Sequence, residues 1–218
     1  GMRCLVLDLN PANVLRYSFA IRHDERAGWV RASVDGKPWQ EAAYAAHHGV
    51  TVLPFGELSA AEVREYHLDA SAIVERLEVM LAALRDMAYD CVLIDGPTSR
   101  SLPHYSLPNV DLTLYVAAPD AASYALLKQD AGHWPASNYR ILINRLQPAQ
   151  ELASAIANLI ADDFEEQMVP GVVHEDLIIA EAQAELASVI ARAPDSQAAQ
   201  DFQSLALWCQ SEFQSRVE

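Results

Sequence analysis

Six short apolar runs punctuate the chain at 4–9 (CLVLDL), 50–54 (VTVLP), 91–95 (CVLID), 112–117 (LTLYVA), 140–144 (RILIN) and 168–173 (MVPGVV). Runs that are apolar at consecutive positions belong to strands buried on both faces, a condition met by parallel sheets with helices on each side. Longer segments with helical periodicity separate them. In "DASAIVERLEVMLAALRDMA", Ala70, Ile73, Leu77, Met80, Leu84 and Met87 recur at steps of three and four behind Asp69, a candidate N-cap. In "AQELASAIANLIADDF", Leu152, Ile156, Leu159, Ile160 and Phe164 form one stripe. Two further helices are expected, from about Glu175 to Arg192 and from about Gln197 to Arg216. The stretch 22–49 mixes turn residues with two tryptophans and reads as short helices over one sheet edge. The predicted fold class is therefore α/β, a mostly parallel sheet with helices on both faces. A chain of 218 residues with 51% hydrophobic content can bury a core of that size as one domain, 1–218.

In such sheets ligands bind beyond the carboxyl ends of the strands, so the residues ending each apolar run are the ones to inspect. "YDCVLIDGP" ends in Asp95 followed by Gly96-Pro97. An acid fixed at a strand end in this way either faces a crevice, where it can hold Mg²⁺, or caps an ordinary turn. Asp8 repeats the arrangement on the first run, before Asn10-Pro11. Asn144 ends the fifth run, where its amide can offer a donor and an acceptor to a purine edge or simply form a turn.

Several function classes are disfavoured. Thirty acidic against fifteen basic residues give a net charge of −15, which repels phosphate backbones and anionic lipid, so nucleic-acid binding is not expected. No apolar run approaches the length of a membrane span and no secretory signal opens the chain, which predicts a soluble, cytoplasmic protein without membrane insertion. Three cysteines without a CxxC pair predict neither a disulfide framework nor a zinc site. His47 and His48 are adjacent, and no HxxxH or HExxH occurs. "PTSRSLPHYS" contains Ser and His but no GxSxG elbow. The last helix carries Phe202, Leu205, Trp208, Cys209 and Phe213 among acids, a pattern for core packing or a protein partner rather than lipid.

The order of these pieces resembles the ParA/MinD group of deviant P-loop ATPases and, within it, the cellulose-biosynthesis family called BcsQ or YhjQ. "LVLDLNPANVLRYSF", "GWVRASVDGKPWQEA", "VTVLPFGELSAAE", "YDCVLIDGP", "HWPASNYRILINRL", "VPGVVHEDLIIAEA" and "LALWCQ" carry the likeness from about residue 4 to about 210. The resemblance implies a cytosolic ATPase that dimerises around ATP. It also implies a protein that helps localise or assemble the bacterial cellulose machinery, recruited to the inner membrane or cell pole by protein partners of the synthase complex. By position, Asp8 is implied near the attacking water and the metal, Asp95 as a ligand of Mg²⁺ through water, and Asn144 against adenine with Pro170 beside the base. "PTSRSLPHYS" is implied as the second switch loop.

Two departures qualify these implications. Many ParA-like proteins carry a second acid two residues after the first, where this chain has Asn10. No GxxxxGK[ST] or KGG-type loop occurs either, although such a loop cradles the β- and γ-phosphates with backbone amides and a lysine. The resemblance places a strand and helix of roughly thirty to forty residues, the size of a βα unit, ahead of "GMRCLVLDL". Three expectations follow: a fold without its first strand and helix, a gap or rearrangement beside 91–95, and no ATP or Mg²⁺ bound by this chain alone. The rival expectation for function is a nucleotide-independent interaction module.

Overall fold

A computed structural model describes residues 2–46, 49–68, 70–96, 110–131 and 138–217, with side chains described outside 65–74 and 214–217. The chain divides into two compact units, Gly1–Pro108 and Asn109–Glu218.

In the first unit, β1 (Cys4–Asp8), β3 (Val50–Leu53) and β4 (Cys91–Asp95) run parallel, and β2 (Tyr44–Ala45) adds an antiparallel edge, giving the order β2-β3-β1-β4. The two-residue β2 lies in the stretch read as irregular, together with the helix α1 (Trp29–Val34) and a 3₁₀ turn at Trp39–Ala42. Central β1 is buried from Leu5 through Asp8. Edge β4 is not: Leu93 is 54% exposed, and among the described residues the strand pairs with β1 alone. A run that reads as a doubly covered strand thus lies, among the described residues, at a sheet edge.

Two helices follow β3. α2 (Ala60–Leu68) begins at a reciprocal capping box, in which the Glu62 N–H donates to Ser59 Oγ at 3.3 Å and the Ser59 N–H donates to the Glu62 carboxylate at 2.7 Å. α3 (Ala70–Arg85) buries Leu77, Met80 and Leu84 against Leu5, Leu7, Trp29 and Phe55. Met87 falls past the helix end, and the proposed cap Asp69 lies outside the described residues.

In the second unit, β6 (Tyr139–Leu146) is flanked in parallel by β5 (Thr113–Ala117) and β7 (Met168–His174). β7 extends beyond the expected end at 173. α4 (Ala121–Asp130), unforeseen because alanines blur its periodicity, starts where Asp120 accepts the Ser123 N–H. The helix expected from Glu175 to Arg192 is two: α6 (Leu177–Ala184) and α7 (Val189–Arg192). Leu186 takes a left-handed φ of 55° between them, with the Ala187 N–H closing on the Ala182 carbonyl. α5 (Glu151–Asp163) buries Ala153 and Ile160 but turns Leu152 and Leu159 outward, against the expected stripe. α8 (Gln197–Val217) lays Leu205 and Trp208 on Leu142, Val169 and Val173 and leaves Phe202 and Leu207 exposed. No helix among the described residues is long and apolar enough to cross a membrane.

Candidate functional site

Asp8 and Asp95 each end a strand, and the parallel register pairs them directly. Register partners on neighbouring strands project to the same face, so the two carboxylates expected to converge do so. Their surroundings differ. Asp95 is exposed, whereas Asp8 is fully buried.

The turn after β1 accounts for that enclosure. The Asn10 N–H donates to Asp8 Oδ1 at 2.8 Å, the Ala12 N–H donates to Asn10 Oδ1 at 3.0 Å, and the Asn13 N–H donates to the Asn10 carbonyl at 2.9 Å. The first two are successive Asx-type bonds, which short polar side chains form with backbone two residues on, and the third closes a backbone turn from Asn10 to Asn13. Asn13 sits at φ 51° and accepts the Gly56 N–H on its Oδ1 at 3.3 Å, tying this turn to the end of β3. Trp29 Nε1–H donates to the Asp8 carbonyl at 2.8 Å. A buried Arg16 donates to the Glu25 carbonyl and to the Tyr17 hydroxyl.

Burial pushes the Asp8 carboxyl from 3.8 up to about 6; the Asp95 charge adds to the rise, while the backbone amides of Asn10 and Leu15 oppose it. Asp95 is also raised, by desolvation. Asp8 Oδ2 and Asn13 Nδ2 are buried without a hydrogen-bond partner. Two adjacent carboxylates, one with an unused oxygen, suit a hard divalent cation that takes its remaining ligands from water and phosphate, as Mg²⁺ does. No group of three or more metal-ligating side chains occurs among the described residues, so an all-protein cage is not what this pair offers.

In the second unit, Asn144 lies near the carboxyl end of β6, where its Oδ1 accepts the Arg145 N–H at 3.0 Å. Arg145 holds a left-handed φ of 62° and pairs with Glu175 at 3.1 Å. A cavity of about 180 Å³ opens among Asp120, Arg145, Gln147 and Glu175. Pro170 stands mid-strand in β7 and is exposed, and the register partner of Asn144 is Val173. The strand end at the level of Asn144 is thus Val173-His174, three residues beyond Pro170. His174 is held there by Asp201, which accepts both its backbone N–H at 2.8 Å and its Nδ1 at 2.9 Å. "PTSRSLPHYS" and His47-His48 lie outside the described residues.

Sequence reasoning found both acids and the amide but missed Asn13, Trp29 and the close contact of Gly28 with Gly56. The signal for Asn13 was present, since Asn-Pro-Ala-Asn is turn chemistry. The Trp29 bond to Asp8 spans 21 residues and has no local signature.

The family model described as "Cellulose biosynthesis protein BcsQ" matches residues 1–210. The protein of that name from Salmonella typhimurium is 31% identical over 211 residues, covering 96% of this chain and 82% of its own length. The Escherichia coli K12 protein is 31% identical over 213 residues, with the same two shares. Among solved structures, the MinD cell division protein of Aquifex aeolicus superposes with a TM-score of 0.72 at 14% identity, over 97% of this chain and 85% of that one. The Pyrococcus furiosus cell division ATPase MinD gives 0.70 at 20% identity, over 97% and 86%. These likenesses establish the fold as that of the MinD/ParA P-loop NTPases.

Proposed function

Because the chain belongs to the BcsQ family of cellulose biosynthesis proteins, we propose that it serves bacterial cellulose production as a ParA/MinD-type protein that helps place or assemble the synthesis machinery, with dimerisation around ATP when a phosphate-cradling loop completes the site. Protein partners of that machinery recruit it to the inner membrane or cell pole. The family match crosses both compact units, which supports reading residues 1–218 as one functional domain.

In this reading Asp95, the exposed acid, holds Mg²⁺ through water, and Asp8 orients the water beside it. Asn144 reads the adenine edge, and Pro170, three residues before Val173, the register partner of Asn144, is assigned beside the base by the family resemblance alone. Bound Mg²⁺ would neutralise phosphate charge. The residues themselves supply the oxygen pair and keep one side of it dry. No phosphate-cradling motif occurs among the 218 residues, so the chemistry assigned to them is confined to cation, water and base. The observation that carries the reading is the register pairing of Asp8 with Asp95 at the ends of adjacent parallel strands.

A second reading, a nucleotide-independent interaction module, is favoured by the complete enclosure of Asp8 under its own turn. Titration calorimetry with Mg-ATP, run beside cellulose production in a bacterium lacking its own BcsQ and supplied with this chain, separates the two. Loss of both nucleotide heat and cellulose in Asp95→Asn supports the ATP-dependent role. Cellulose restored by Asp95→Asn, with no nucleotide heat from either form, establishes the module instead.

A further inference from the structure

One exposed flank of α5, beside its packed side, is apolar where a surface helix is ordinarily polar. Leu152 is 73% exposed and Leu159 is 42% exposed, with exposed Ala155 between them. At about 100° per residue these three share one side of the helix, and seven residues of rise separate the two leucines by about 10 Å. The adjoining side packs on the core: Ala153 and Ile160 are buried, and half-buried Ile156 and Ala157 pack with Ile141, Ile143 and Phe164. Single exposed leucines are unremarkable, but an aligned pair on a helix already seated on its core is a flank that no core cluster among the described residues uses.

Charge indicates what covers it. Glu151 and Asp162, both exposed, border the stripe on one side. The chain leaving α5 carries Asp162, Asp163, Glu165 and Glu166 within five residues. Of these only Asp163 has an ion-pair partner among the described residues, Lys128 at 3.1 Å. A second copy would bring the same acids and a net charge of −15 against them, and an anionic bilayer would be repelled in the same way.

We propose that this face docks an amphipathic basic helix of a protein partner. Its apolar residues, three and four apart, would cover Leu152, Ala155 and Leu159, and its Lys or Arg side chains would meet Glu151, Asp162, Glu165 and Glu166. The proposal is independent of whether the chain binds a nucleotide.

The probe is a fluorescein-labelled 18-residue helical peptide of leucines at three- and four-residue spacing with lysines elsewhere, set beside the same peptide with glutamates for lysines. Anisotropy reads affinity, and hydrogen exchange on the whole chain locates the footprint. The lysine peptide is expected to protect α5 and to weaken with salt, and the glutamate peptide not to bind. Leu152→Ser with Leu159→Ser is expected to weaken binding at least tenfold, Glu165→Lys with Glu166→Lys at least threefold, and Leu207→Ser on α8 to leave it unchanged. All five substitutions are at exposed positions, and an unaltered thermal melt verifies the fold. A footprint away from α5, equal affinity in the double serine variant, or a dimer of the parent chain that the double serine variant abolishes would each overturn the proposal.

Discussion

Asp8 is where local chemistry and stability meet most directly. Its carboxyl is raised from 3.8 to about 6, so the native state holds a proton more tightly than the unfolded chain between those values. Stability falls with rising pH wherever the unfolded state binds fewer protons than the native one, so this acid stabilises least above pH 6 and its penalty disappears as pH drops below 4. Replacing it by the neutral, isosteric asparagine should therefore stabilise the free protein at pH 7.5 by about 1–3 kcal/mol and have little effect at pH 4, read by urea melts at both values. A wild-type advantage at pH 7.5 would show that the Asn10 and Leu15 amides outweigh burial. Glycine matters at one contact nearby. A Cβ on Gly28 would lie 2.1 Å from the Gly56 nitrogen, backbone against backbone, with no flexible atom to give way. Gly28→Ala should cost about 3 kcal/mol or more and detach α1, whose Trp29 and Val30 N–H groups donate to the Pro54 and Phe55 carbonyls. Loss of the near-ultraviolet signal of Trp29 together with a lowered melt is the expected result.

At the scale of elements, α8 is fixed to its unit by polar bonds at its first turns as well as by Leu205 and Trp208 further along. Asp176 caps α6 through the Ile178 N–H at 3.1 Å and reaches the Ala198 N–H at 3.4 Å with its other oxygen, while Asp201 on α8 accepts from His174 and from Gln197. One carboxylate thus serves two helix starts, and Asp176→Ala should cost about 1–2 kcal/mol, more than loss of a single cap. Hydrogen exchange should show the extra loss at residues 198–201; an effect confined to α6 would show that the long bond to Ala198 contributes nothing. The elements also show what the sequence could reveal. The six strands were legible because consecutive apolar residues have few alternatives. The face of α5 was not, since Leu152, Ile156 and Leu159 satisfy helical spacing equally well in either orientation, and only the fit of Ile160 against Ile141 and Ile143 of β6 decides which side is buried. α4 escaped because its alanines carry little periodicity, and the break at Leu186 because a non-glycine left-handed residue has no sequence mark. At the site, the strand-end acids were found by position. The enclosure of Asp8 depended on Trp29 and Gly56, both distant in sequence.

Over the whole molecule the dominant physical quantity is charge. Thirty acids against fifteen bases leave a net −15, and the ion pairs that offset it are mostly at the surface, as with Arg22–Asp24 at 75% and 61% side-chain exposure. Exposed pairs of this kind contribute about 0–1 kcal/mol each and lose part of that in salt. The long-range repulsion among unpaired acids is screened as well, because the Debye length falls from about 30 Å at 0.01 M to about 8 Å at 0.15 M. The two effects oppose each other, and their balance follows from number: each basic residue can neutralise one acid at most, so at least half of the acids repel without local compensation. Screening should therefore stabilise. Raising NaCl from 10 to 300 mM should lift the melting temperature by about 2–5 °C, which corresponds to about 1–2 kcal/mol for a chain of this length. A melting temperature that falls over the same range would mean that the local pairs, Arg31 with Asp35 and Glu62 foremost, outweigh the repulsion. In that case Arg31→Gln would abolish the salt dependence, whereas under net repulsion it would steepen it by removing one more positive charge.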